Sequence, residues 1–296
     1  VVISTWAELV AGLDEALAFA RTLKLDTSGT RFSSHRDRIN GLDRTRELSG
    51  DAAALEQFLG AIELNAVALT ESQELATIVP FLASVPPETA AKKLSVVLKG
   101  PELPADEDTA SNEARNTMFE LNLAARLYRA GLAVDLSGAA ADLRFTCDGV
   151  LWFGECKRPY RIETIENNIG EGCRQLGERL VASRLTARGL LAISVSRPLT
   201  TKAPYIEYPG EVELRRALKE RVGSMVRLME ESTERQERCR RVSKLGLLVG
   251  HIIMPAWSPV TRIPTGVQYS AAIDLCRDRS GDGERVARAL DRTYTR

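Results

Sequence analysis

The chain reads as an α/β protein: a mixed sheet flanked by helices, preceded by an all-helical N-terminal region. Three observations predict this class. Residues 5–98 carry successive helical patterns that stop at a linker over 100–108, where Pro101 and Pro104 precede Asp106-Glu107-Asp108. Two short alternating runs, 141–147 and 150–157, flank Asp148-Gly149, and Asp-Gly between alternating runs signals a hairpin with a two-residue type I′ turn. A helical pattern over 162–188 is then followed by the apolar run 190–195, which suits a buried strand.

The elements follow in order. Residues 5–25 form a helix with Trp6, Leu9, Leu13, Leu17 and Ala20 on one stripe. Residues 27–40 are polar and weakly patterned, which predicts a loop, with His35 in a basic surface patch beside Arg31, Arg36 and Arg38. Residues 51–69 form a helix opened by Asp51, and 71–82 and 88–98 shorter helices around Pro80 and Pro86-Pro87. A helix over 111–130 stops at Gly131, and 133–137 supplies a first strand. After the apolar run come a long charged helix, 211–242, strands at 245–254 and 266–274, and a charged tail from 277. The division is thus a helical region, 1–100, and an α/β domain, 106–296, with its core at about 111–196.

Lys plus Arg and Asp plus Glu number 40 each, so no global field steers nucleic acid and any steering is local. The composition, 44% hydrophobic and 27% charged, is that of an ordinary globular protein, and no apolar run is long enough for a bilayer. Residues 5–25, an amphipathic helix containing acids, do not read as a signal peptide, and the expected location is cytoplasmic. The five cysteines show no C-x-x-C spacing and are expected to be reduced thiols. His251 lies within an apolar strand and reads as a hydrogen-bonded core residue. Walker-type, G-x-G-x-x-G and G-x-S-x-G motifs are absent, which removes the readings that depend on them.

The hairpin register gives the candidate site. With Asp148 and Gly149 as the turn, Asp142 lies opposite Glu155, and Lys157 shares their face. The other face, Leu143, Phe145 and Cys147 against Val150, Trp152, Gly154 and Cys156, is apolar. Two facing carboxylates repel, so they hold a cation between them or share a proton. Their hard oxygens suit Mg²⁺, Mn²⁺ or Ca²⁺, and a lysine beside them meets an anion at the metal. Two acids, a metal and a lysine on one strand face fit phosphodiester hydrolysis. Arg158, Arg161 and Arg174 cluster nearby and could hold phosphates, although arginine on a mixed-charge helix is more often an ion-pair partner.

In this arrangement the chain resembles the PD-(D/E)XK nucleases, the restriction-endonuclease-like fold. That core is a helix, a three-strand meander, a second helix and a fourth strand. Asp142 stands where the family has its aspartate, and Glu155-Cys156-Lys157 where it has E-x-K. Residue 141 is alanine, not the family's proline. The resemblance implies a metal-dependent nuclease using Mg²⁺, with Mn²⁺ as the alternative, held by Asp142, Glu155 and the Cys156 carbonyl. It implies DNA rather than RNA as substrate. Glu120 matches the family's first-helix glutamate, with Glu113 seven residues earlier on nearly the same face. Gln175 matches a second-helix glutamine, while Asn168 on its face reads as solvated. The alternatives are a catalytically silent nucleic-acid-binding or scaffold domain of the same fold, and a metal-free interaction protein in which the two acids share a proton. The N-terminal helices are expected to control access or to bind a partner protein or second copy.

Overall fold

The computed structural model describes residues 2–4, 6–108, 111–136, 142–183, 187–200, 205–236, 239, 244–257, 264–275 and 281–292. Ala141, Cys276 and the ends of several expected elements, among them 137 and 184–186, lie outside the described residues. The fold is α/β. Two compact units are each assembled from separate stretches: 1–125, 202–216 and 253–268 in the first, 126–201, 217–252 and 269–296 in the second.

The first unit contains β1 (Val2–Ser4), α1 (Trp6–Thr22), α2 (Arg31–Ser49), α3 (Asp51–Gly60), α4 (Ile62–Leu82), α5 (Pro87–Val97) and the start of α6 (Glu113–Arg129). Trp6 and Leu9 of α1, Ile39 and Leu42 of α2, Phe58 of α3 and Leu69 of α4 share one apolar cluster. Helix α2 corrects the expectation of a loop over 27–40. Thr30 caps it by accepting the Ser33 N–H, and Gly50 ends it at φ 85°. Its buried stripe is Phe32, His35, Ile39 and Leu42, and the histidine hid the helical period. The expected helix 51–69 breaks instead at Ala61, where α3 and α4 meet at 103°. Thr70 sits within α4, its hydroxyl donating to the Ala66 carbonyl 3.0 Å away.

The second unit starts late in α6. It holds β2 (Ala133–Asp135), β3 (Leu143–Cys147), β4 (Val150–Lys157), α7 (Ile165–Ala182), β5 (Ala187–Ser194) and α8 (Ser196–Thr200). Later in the chain come β6 (Ile206–Glu207), α9 (Glu211–Arg235), β7 (Leu245–Trp257), β8 (Pro264–Asp274) and α10 (Asp282–Arg292). The strand order is β1-β8-β7-β5-β4-β3-β2, with β6 also pairing β7. β2, β3 and β4 form an antiparallel meander, whereas β5 runs parallel to β4 and to β7. The hairpin has the expected register, Cys147 opposite Val150 and Leu143 opposite Gly154. Asp148 and Gly149 take φ 47° and 79°, as a type I′ turn requires. Phe145 and Trp152 stack across it on the buried face, 5.8 Å between ring centroids.

His251 on β7 is buried, with Nδ1 2.8 Å from the Ser270 hydroxyl. Burial first, and then the Arg126 charge, hold its pKa well below the ordinary value, so the ring stays neutral. Among the described residues no single helix is long and apolar enough to cross a membrane.

Cys173 and Cys239 form a disulfide, Cα to Cα 5.1 Å, which corrects the expectation of reduced thiols. Cys147 and Cys156 are free. No sequence spacing marks a pair 66 residues apart; it is brought together by folding. A loop of that length gives about 4 kcal/mol in the chain-entropy model. Cys239→Ser is therefore expected to lower the urea midpoint of unfolding relative to the oxidised wild type. Adding dithiothreitol should lower the wild-type value toward the variant's and leave the variant unchanged.

Candidate functional site

β4 positions the site by simple alternation. Leu151, Phe153, Glu155 and Lys157 point to one face, and α7 packs on β4 and on its neighbour β5. The stripe Ile165, Ile169, Gly172, Cys173, Leu176 and Leu180 seats the helix. Gly172 permits close approach, since a Cβ there would stand 2.5 Å from Leu191 Cδ1. The middle of β4, Trp152 to Glu155, is buried on both faces, and Glu155 is only 2% exposed.

Four polar side chains gather at this end of β4. Lys157 Nζ donates to Glu155 Oε1 at 2.9 Å and to Gln175 Oε1 at 2.5 Å. Arg179 donates from Nη1 to Glu155 Oε2. Gln175 and Arg179 are one turn apart on α7 and face the sheet together. The fourth member, Asp142, precedes β3. One step outward from the Leu143–Gly154 pair places it across from Glu155, and its Oδ2 accepts the Cys156 N–H at 2.7 Å. Charge compensation is complete without any added ion: two basic side chains hold Glu155, and a backbone N–H holds Asp142.

Asp142, Glu155, Lys157 and Gln175 are thus brought together, and sequence reasoning missed only Arg179 of this group. Its signal was present, four residues after Gln175 on the same helical face. Glu113 and Glu120 belong to the first unit. Glu113 is exposed in the first turn of α6, and Glu120 pairs with Lys93 at 3.2 Å. Arg174 lies on the solvent side of α7 between Glu171 and Glu178, each 2.6 Å away, and hydrogen bonds to both raise its pKa. Arg158 is half-buried just past β4, and Arg161 is exposed. Asn168 turns back to the Thr164 carbonyl at 2.8 Å.

A second polar cluster, in the first unit, was also missed. Glu71 is buried and accepts from Arg31 Nε at 2.7 Å on one oxygen and from Arg115 on the other. His35 Nε2 lies 3.3 Å from the Arg31-bound oxygen. Arg31 and His35 are therefore buried partners of Glu71 and not a basic surface patch. Arg36, Arg38 and Arg46 pair with Asp14, Glu102 and Asp43.

Among the described residues no group of three or more His, Cys, Asp or Glu side chains comes together that could hold a metal ion. A divalent ion on β4 would depend on the carboxylates of Asp142 and Glu155 and the Cys156 carbonyl. Those are hard oxygen donors that suit Mg²⁺ or Mn²⁺. Compared with protein-family models, with curated proteins and with solved structures, the chain matches none.

Proposed function

We propose that this chain is a metal-dependent nuclease of the restriction-endonuclease-like fold, hydrolysing phosphodiester bonds and acting on DNA in preference to RNA. One observation carries the reading. Lys157, next but one to a buried glutamate on β4, is held by Gln175 from the following helix. A lysine fixed at both sides beside two carboxylates is prepared to meet an anion. The antiparallel meander, the helix and the parallel fourth strand are the elements that the resemblance implies.

Asp142, Glu155 and the Cys156 carbonyl would hold the cation. When bound, the cation supplies charge neutralisation at a phosphoryl oxygen. Lys157 would orient the attacking water, or donate to the oxygen on which negative charge develops. Gln175 fixes the Lys157 ammonium and leaves its remaining proton for substrate. The choice of DNA rests on the family resemblance alone.

A second reading is favoured by one observation: both Glu155 oxygens are already taken by cationic groups. A closed ion-pair cluster of this kind also suits a catalytically silent binding or scaffold domain. Calorimetry with Mn²⁺ and cleavage assays on supercoiled plasmid, linear duplex, single strand and RNA separate the two. The nuclease reading expects Mn²⁺ binding that is lost in Glu155→Ala, with Mg²⁺-dependent cleavage of DNA. Failure to bind Mn²⁺, together with no cleavage of any substrate, leaves the silent domain.

A further inference from the structure

Helix α7 carries Gln175, which holds the Lys157 ammonium. The first half of the same helix is clamped by residues just past α9. Gln236 Nε2 donates to the Glu166 carbonyl at 2.7 Å, and a Cβ on Gly170 would stand 2.5 Å from Gln236 Oε1. Cys239 completes the clamp: its sulfur lies 4.0 Å from the Ile169 carbonyl oxygen and is bonded to Cys173. Gln175 follows only two residues after that bond.

The bridge is not the staple of a small core. Disulfides are dense in small domains that cannot bury enough apolar surface. The second unit buries Leu190, Leu191 and Ile193 of β5 and Leu247, Leu248 and Val249 of β7, while Cys147 and Cys156 stay free thiols. The reduced pair also fits the fold. A thiol packs as a small apolar group, and Cys173 lies in the stripe by which α7 seats on the sheet.

We propose that Cys173 and Cys239 form a reversible thiol–disulfide switch on the site. Oxidised, the bridge fixes α7 so that Gln175 supports Lys157; reduced, the clamp keeps only its Gln236 contacts and that support slackens. The effect on cleavage rests on the nuclease reading, whereas the effect on α7 does not.

Cys173 is fully buried and Cys239 is 4% exposed, so exchange starts at Cys239 on local opening. A thiolate of a dithiol reductant attacks the Cys239 sulfur, the S–S bond breaks, and Cys173 leaves as a thiolate that takes a proton. The reductant's second thiol then releases Cys239. Two electrons pass to the bridge, and the reductant ends as its own disulfide.

The test uses the full chain oxidised, the full chain reduced by dithiothreitol, and Cys239→Ser, with Cys239→Ala should the serine variant not fold. In buffers of varied reduced-to-oxidised glutathione ratio, alkylation and mass spectrometry should show the pair passing from reduced to oxidised. A pair that keeps one state in every buffer overturns the switch. In the folded protein, amides of 173–180 should exchange hydrogen about tenfold faster when the bridge is open, with those of β5 unchanged. No change in α7, or an equal change in β5, overturns it, since a staple that acts only on global stability gives that result. DNA cleavage should fall about tenfold on reduction and return on reoxidation with oxidised glutathione. Cleavage indifferent to reduction overturns the switch and leaves the nuclease reading standing. No cleavage in either state, with the exchange result as expected, sinks the nuclease reading and leaves the coupling of the bridge to α7.

Discussion

Lys157→Ala is expected to lower DNA cleavage by about a thousandfold, the scale of a lost acid–base or charge-stabilising group. Mn²⁺ binding should survive it. The lysine is not a ligand in this scheme, and its removal leaves Glu155 with one cation fewer to compete against the metal. Glu155→Ala should lose both properties. Single-turnover cleavage and calorimetry on the same preparations separate the two variants. A Lys157→Ala protein cleaving at the wild-type rate would mean that the reacting phosphate sits elsewhere. Gln175→Ala tests the support of the lysine: a fall in cleavage with Mn²⁺ affinity unchanged is the expected result, since Gln175 accepts its hydrogen bond in the site from Lys157.

The second large effect lies far from any chemistry. Glu71→Gln should destabilise the first unit by about 3–5 kcal/mol, because buried Arg31 would lose its carboxylate and Arg115 would be left with Glu107 alone. Urea unfolding followed by helical signal measures this. A loss under about 1 kcal/mol would show that the Lys99, Pro101 and Glu102 carbonyls and the Glu107 carboxylate, which also accept from these arginines, hold them without Glu71. Acidity gives an independent check. Burial raises the Glu71 pKa, but Arg31, Arg115 and His35 outweigh it and hold the group below its ordinary value near 4.5. A depressed folded-state pKa contributes stability above the unfolded value, and that stability drains as pH falls below it. Wild-type stability should therefore drop below about pH 4.5 more steeply than that of Glu71→Gln.

Much of the second unit was legible in the sequence, and the reason is local. Asp148-Gly149 fixes the turn, the turn fixes the register, and the register puts Asp142 across from Glu155. The Gln175 contact needed the family resemblance, because a glutamine on a helix carries no pattern by itself. Arg179 was hidden among Glu166, Glu171, Arg174 and Glu178, which make α7 read as a solvated face. Helix α2 was lost for a related reason: its inward stripe includes a histidine whose burial depends on a glutamate 36 residues away. The Cys173–Cys239 bridge joins residues with no local relation at all. Short-range chemistry was readable, whereas pairings created by long-range packing were not.

The discontinuous make-up of the two units bears on how the protein emerges from a ribosome. Residues 1–125 could complete their unit only after 202–216 and 253–268 had been synthesised. Strand β7 is divided between the units, with Leu245–Ile252 in the second and Ile253–Trp257 in the first. Translation therefore delivers the parts of both units interleaved, and neither can finish while the other is still wholly unmade. Long sequence separation between partners slows folding and lengthens the time that apolar surface stays exposed. A nascent chain halted before residue 253 should accordingly be more protease-sensitive in its first hundred residues than the released protein. A chain cut near Ala105 would leave 202–216 and 253–268 without the helices of their unit.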